Sequence, residues 1–237
     1  MLVYHLPSHA FACLTGQKFV FLDLKHDAYF SVPRQAMEEL IPWIQNWPST
    51  PNNEPTLTTR LSDTVEALAA ELMARGMLAE ASAAQPVAPR MARAADGDLG
   101  SMPLSDPDPL PRCPLRNTAL ALLYSDCALR ILSISRIVDF VAKRKRSRAC
   151  VIPTDSNQAG HMARVFLKYR PLFPRDYLCL FDSLALVRFL SGYDLYPDWV
   201  FGVQEDPFRA HCWVQAGEVV LNDHLDNVAV YTPIMTV

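Results

Sequence analysis

The chain lacks several features that would place it at once. No uncharged apolar run is long enough to span a bilayer: the longest apolar stretch, 115–141, contains Arg116, Asp126, Arg130, Arg136 and Asp139. The start, Met1-Leu-Val-Tyr-His-Leu-Pro, has neither a basic region nor a sustained apolar core, so no export signal is expected. No CxxC pair exists among the six cysteines at 13, 113, 127, 150, 179 and 212, and their spacing suggests no disulfide framework. Reduced thiols and a cytoplasmic setting are therefore expected. Positive charge is not in excess either. A formal net charge of −3 gives no global attraction to nucleic acid or to an anionic membrane. What is present is 237 residues at 50% hydrophobic and 20% charged content. That suits a packed protein with one large domain or two small ones.

Composition shifts near residue 81. Gln85-Pro-Val-Ala-Pro, Asp96-Gly-Asp-Leu-Gly-Ser-Met-Pro and Asp106-Pro-Asp-Pro-Leu-Pro offer too little apolar surface to fold alone. The expected division is a domain at 1–82, a linker at 83–112 and a domain at 113–237. The alternative is a long ordered loop packed across one domain.

The N-terminal segment opens with strand-like runs at 9–14, 18–24 and 28–32, the last after a turn at 25–27. A helix is expected after Pro33, with Met37, Leu40, Ile41 and Ile44 on its apolar stripe. Ser62 suits the cap of a second helix, which Gly76 ends; a last short strand is expected at 77–80. Strands followed by helices predict a winged-helix-like domain. Such a domain suggests DNA, but residues 1–80 hold five Lys/Arg against nine Asp/Glu, a net of −4. Phosphate binding would be opposed by that field. A peptide-recognition module fits better, because an exposed strand edge beside a helix accepts an extended peptide as an added strand. Candidate contacts are Ala28, Tyr29, Phe30 and Val32 on the edge strand and Val65, Leu68 and Leu72 on the helix. For Leu68 and Leu72, core packing is the commoner fate.

The C-terminal segment begins with helical pattern at 115–142, closed by Lys143-Arg-Lys-Arg-Ser-Arg, which reads as a solvated helix end. Further helices are expected at 155–169 and 177–190, then strands at 199–203, 210–215, 219–222 and 228–231. Helices followed by an antiparallel sheet make an α+β arrangement.

Within it Cys179 falls at a helix start, where the dipole favours a thiolate. The unpaired amides there suit an oxyanion. The bland reading is a core cysteine among Leu178, Leu180 and Phe181. His211 lies on a strand with large apolar neighbours, and a lone strand histidine is commonly structural. Asp223 supplies a geometric check. A two-residue loop at 216–217 would turn Asp223 to the wrong face, so an odd-length loop or a bulge is expected between the strands. Asp226, or Asn222 as an amide, could take the place of the acid, and His224 that of the base. A zinc site from His211, Cys212, Asp223 and His224 is disfavoured, because 211 and 212 face opposite ways.

Cys179-Leu-Phe-Asp-Ser-Leu, Phe201-Gly-Val, Ala210-His-Cys-Trp-Val and Leu221-Asn-Asp, in that order, resemble the lasso-peptide leader peptidases. These are cysteine proteases with a papain- and transglutaminase-like fold. The resemblance covers about residues 115–237. It implies Cys179 as nucleophile, His211 as general base and Asp223 as orienting acid. The segment at 1–82 is similar to the leader-recognition element of ribosomal-peptide pathways, here fused to the peptidase. Cys212 departs from the pattern, where a small residue is common. The implied function is capture of a precursor's leader and its cleavage from the core peptide. The implied partner is an ATP-dependent, asparagine-synthetase-like macrolactam cyclase. No cofactor or metal is implied, and no phosphate-binding loop is present. The alternatives are a non-proteolytic acyltransferase or amidase with the same triad, and a catalytically silent peptide adapter.

Overall fold

A computed structural model describes residues 3–45, 47, 62–80, 92–102, 113–149 and 154–237. Strands β1 (Tyr4–His5), β2 (Ala10–Thr15), β3 (Lys18–Asp23) and β4 (Ala28–Pro33) come first. Then follow α1 (Arg34–Glu38), β5 (Ile44–Gln45), α2 (Asp63–Ala74) and β6 (Ala79–Glu80). β2, β3 and β4 form an antiparallel meander in that order, with Thr15 opposite Lys18 and Asp23 opposite Ala28. Its second turn is fixed by Asp23, whose carboxylate accepts from the Lys25 and His26 amides at 3.0 and 3.2 Å. β1 lies between β5 and β6 in a separate three-stranded sheet.

Two expectations change here. The single helix after Pro33 is α1 followed by a 3₁₀ turn at Ile41–Trp43, and Ile44 belongs to a strand. Pro42 in that turn has no amide to donate to a continuing helix. Ser62 stands at the cap position of α2, yet its hydroxyl faces Glu39 and Thr64 and makes no cap bond.

The meander is apolar on both faces. Phe19 and Phe21 join Met37, Leu40, Val65 and Leu72 in one core. Val20, Leu22 and Leu24 join Phe181, Leu184, Phe201 and Cys212 in another. Strand alternation sends successive side chains of β3 to opposite cores. The near-continuous apolar run at 19–24 follows from that double burial.

The C-terminal part holds β7 (Gly97–Asp98), α3 (Pro114–Ile131), α4 (Ile134–Ala149), α5 (Ser156–Tyr169) and α6 (Cys179–Ser191). β8 (Asp198–Gln204), β9 (Arg209–Ala216), β10 (Val219–Val220), α7 (Leu225–Val228) and β11 (Thr232–Thr236) complete it. The helical pattern at 115–142 is two helices, broken where Leu132 turns extended at ψ 148°. The strand expected at 228–231 does not form: Val228 ends α7, residues 229–231 turn, and the strand comes later as β11. Asp155 caps α5 by accepting the Asn157 amide at 2.9 Å. The five-stranded sheet has the order β11-β8-β9-β10-β7.

Residues 92–102, inside the stretch read as a linker, pack on this sheet. β7 pairs in parallel with β10, and Gln215 Nε2 donates to the Arg93 carbonyl at 2.8 Å. Arg164 donates to the Leu99 and Met102 carbonyls at 2.6 and 3.0 Å. Among the described residues no helix is long and apolar enough to cross a membrane.

Candidate active site

The site forms where the start of α6 meets the middle of β9. Cys179 is the first residue of α6 and is exposed. The helix start is held from behind. Asp182 accepts the Leu178 amide at 2.7 Å and forms an ion pair with Arg170, which is 1% exposed. Arg170 also donates to the carbonyls of Phe173, Arg175 and Asp176 at 3.3, 3.1 and 3.1 Å. It thereby shapes the loop that delivers the chain to Cys179. A carboxylate in the first turn also suits the positive end of the helix dipole.

One turn after Cys179, Ser183 Oγ donates to the Cys212 carbonyl at 3.1 Å and accepts from Asn222 Nδ2 at 2.9 Å. Asn222 Oδ1 in turn accepts the Val214 amide at 2.8 Å. Asn222 thus ties α6 to β9 and does not orient the imidazole.

His211 stands opposite Gly202 on β8. Its ring lies between Trp213 and Tyr231, at centroid distances of 6.1 and 5.0 Å. A Cβ on Gly202 would meet the Trp213 ring at 2.9 Å and Tyr231 Cβ at 3.0 Å, so glycine leaves the space these rings occupy. His211 Nε2 lies 2.6 Å from Asp223 Oδ2. The other oxygen of Asp223 accepts from the His224 amide at 2.8 Å and from Asn227 Nδ2 at 2.9 Å. With Nε2 engaged by Asp223, Nδ1 is the ring nitrogen left for Cys179.

Of the two expected routes, an odd-length loop or an irregular strand, the hairpin takes the second. Ala216 pairs with Val219, so the loop is the two residues Gly217 and Glu218. Continued regularly, that register would set Asp223 opposite Cys212, on the wrong face. The ladder stops after Val220, and residues 221–223 bend out of it. The Leu221 amide still reaches the Val214 carbonyl at 2.8 Å, while Asn222 satisfies the Val214 amide with its side chain. The irregularity therefore lies in the strand and not in an odd-length loop. Of the alternatives, Asp226 is exposed on α7, and His224 is 84% exposed beside Asp98.

The electrostatics follow from these contacts. The Cys179 thiol is pulled down to about 4, first by the Cys212 thiol and then by His211, against the cost of burial. Burial disfavours charge on His211, but the hydrogen bonds to Asp223 and Cys179 outweigh it and lift the imidazole to about 9. Asp223 is also opposed by burial, yet its bonds from His211 and Asn227 hold it below the usual carboxylate value. At neutral pH the site therefore holds a thiolate, an imidazolium and a carboxylate in a row. A thiolate at a helix start, with an acid beside it, is equipped to attack a carbonyl and protonate the leaving group.

The residues expected to contact a peptide divide. Val32, Val65 and Leu72 are buried in the N-terminal core, which corrects their assignment to a binding surface. Ala28 is exposed, and Tyr29, Phe30 and Leu68 are half-buried. Tyr29 reaches toward the C-terminal part: its ring lies 5.6 Å from that of Phe208, three residues before His211. Lys18 and Glu205 join the same two hairpins at 3.4 Å.

Sequence reasoning missed Arg170, Asp182 and the bridging role of Ser183. One signal was available: two adjacent polar residues, Asp182 and Ser183, interrupt the apolar run at 178–187. Gly202 was noted only as part of a pattern, and its spatial role needed the register of β8 on β9.

Comparison with curated proteins and with solved structures found no match. Residues 121–236 match the family model of the transglutaminase-like superfamily. Cys179, His211 and Asp223 all lie within the matched residues.

Proposed function

We propose that this protein is a cysteine peptidase that removes the leader from a ribosomally made precursor, of the lasso-peptide kind. The observation that carries the reading is the array of Cys179, His211 and Asp223, with the imidazole 2.6 Å from the carboxylate. In this mechanism the Cys179 thiolate attacks the scissile carbonyl. Unpaired amides at the start of α6 face the developing oxyanion. His211 gives its proton to the departing amine, which becomes the new N-terminus of the core peptide. It then takes a proton from water, which attacks the thioester and frees the leader's carboxylate. Asp223 holds the ring and favours its charged form throughout.

A free strand edge supports the peptide substrate. β4 ends its sheet, with no further strand beside it among the described residues. A leader added along β4 runs past Tyr29, whose ring touches Phe208 on the loop leading to His211. Recognition and cleavage would then be continuous along one extended chain. The freed core amine is the group an ATP-dependent macrolactam cyclase would consume, which makes such an enzyme the natural partner.

The test is mass spectrometry of a candidate precursor incubated with the full chain. Leader release by the wild type, and none by Cys179→Ala, is the expected result. Equal release by both overturns the peptidase reading. Transfer of the acyl group to an added amine in preference to water favours an acyltransferase.

A further inference from the structure

The run Lys143-Arg-Lys-Arg-Ser-Arg, which reads as a solvated helix end, is divided by the fold. Lys145 turns inward: its ammonium pairs with Asp198 and donates to the Pro197 and Val237 carbonyls, both at 3.0 Å. Arg144 is half-buried and reaches the C-terminal end of α6. Its Nη2 donates to the Ser191 carbonyl at 3.4 Å, and its Nε is buried without a hydrogen-bond partner. Arg188, on α6 itself, is half-buried too. Its Nη1 donates to the Ser191 hydroxyl at 3.4 Å, and its guanidinium lies 5.1 Å from the centre of the Tyr124 ring. Two guanidinium groups thus converge on one serine. Neither forms an ion pair among the described residues. They flank a pocket of about 390 Å³, part of it open to solvent, between α3, α4 and α6. Tyr124, Phe140, Leu184 and Val187 supply its apolar wall, and among the described residues no acidic side chain lines it.

We propose that this pocket binds a carboxylate on a small apolar body, with the charge between Arg144 and Arg188 and the body against the apolar wall. Like charges held together in a partly dry site repel more strongly than in water. A buried donor without a partner adds a further cost. One anion seated between the two groups offsets both. The guanidinium fork matches the two oxygens of a carboxylate. A concave, aromatic-lined site with a few convergent polar groups is the usual form of a small-ligand pocket. Helical spacing builds it: Phe140 and Arg144 lie four residues apart on α4, and so do Leu184 and Arg188 on α6. Each helix therefore presents an apolar residue and a cation on one face. The pocket is separate from the site at Cys179. Cys179 is the first residue of α6 and Ser191 the last, about 18 Å apart along the helix axis. The inference therefore rests neither on Cys179 as nucleophile nor on a peptide substrate.

The test is an NMR titration of the full chain with 3-phenylpropionate and with its neutral amide. The acid should bind at least about tenfold more tightly, the scale of one hydrogen bond to a charged group. Its protons should show contacts to the Tyr124 and Phe140 rings. Arg144→Gln and Arg188→Gln should each weaken the acid by about tenfold and leave the amide unmoved. No binding of the acid, equal binding of acid and amide, or acid binding unmoved in the double variant overturns the proposal. If a variant does not fold, the comparison of acid with amide on the wild type decides. A second arm uses a short peptide ending in phenylalanine, with its C-terminus free or amidated. Binding of the free-ended peptide at least as tight as that of 3-phenylpropionate assigns the pocket to a chain end. Binding of the small acid alone assigns it to a free aromatic acid. Both results support the carboxylate site. Failure of precursor cleavage would sink the peptidase reading and leave this one standing.

Discussion

Asp182 joins the guanidinium of Arg170 to the amide of Leu178, the residue immediately before Cys179. The orientation of the helix that begins at Cys179 thus depends on a charge pair behind it. Arg170 is almost wholly enclosed, with Tyr177 and Phe181 rings at 4.4 and 5.3 Å. Removing its carboxylate leaves a buried cation without compensation. Asp182→Ala should destabilise the protein by about 3–5 kcal/mol, read from the denaturant midpoint. Any residual activity should fall more than binding of the precursor, because the helix start loses its anchor.

The pH profile of cleavage should be bell-shaped. Cys179 is lowered to about 4, so the nucleophile forms as pH rises through that value. His211 is raised to about 9, so the acid is lost as pH rises through that value. The rate should therefore rise near pH 4, hold across neutrality and fall near pH 9. Initial rates with a precursor peptide check this. A plateau persisting well above pH 9 would remove the imidazolium from the mechanism.

Asp223→Asn keeps the shape of the side chain and removes the charge that favours imidazolium. The upper limb of the pH profile should then move toward lower pH. The turnover rate should fall by roughly 10²- to 10⁴-fold, the usual scale for a mispositioned or mischarged base. Precursor affinity should not change. A variant with normal turnover would reassign the acid.

Gly202→Ala should disturb the ring cage around His211. The new methyl would lie about 3 Å from Trp213 and Tyr231, closer than carbon atoms rest. Overpacking of this kind costs about 1–3 kcal/mol. Thermal unfolding gives the stability term, and turnover with unchanged precursor affinity gives the effect on the imidazole.

Neighbouring residues on β3 should both prove sensitive, although they face opposite ways. Phe21→Ala should cost about 3–5 kcal/mol and Leu22→Ala about 2–5 kcal/mol, because each fills a different core. A meander buried on one face only would tolerate one of the two. Equilibrium denaturation of the two variants distinguishes these cases.

Much of the site was legible because local rules carry it. Cys179 at a helix start, His211 on a strand and Asp223 beyond the next turn are statements about periodicity and turn residues. The hairpin was not legible in detail. Gly217 takes a φ of +63°, which allows the tight two-residue loop. The correction that brings Asp223 to the right face then comes with Asn222 bonding the Val214 amide across the hairpin through its side chain. The expected single helix at 115–142 failed for a similar reason, since nothing local marks Leu132 as extended.

The sequence by itself indicated most of the helices and strands, the residue types at the candidate site and the acidic character of the N-terminal segment. These depend on composition, alternation and capping, all local properties. Only the tertiary structure decided what the apolar residues of β3 pack against. The same holds for residues 92–102, which enter the sheet, and for Arg170, which reaches the end of another helix. It also decided that Ser183 of α6 meets the Cys212 carbonyl of β9. Each of these joins residues distant in the chain, and their contacts form only after helix and sheet have docked.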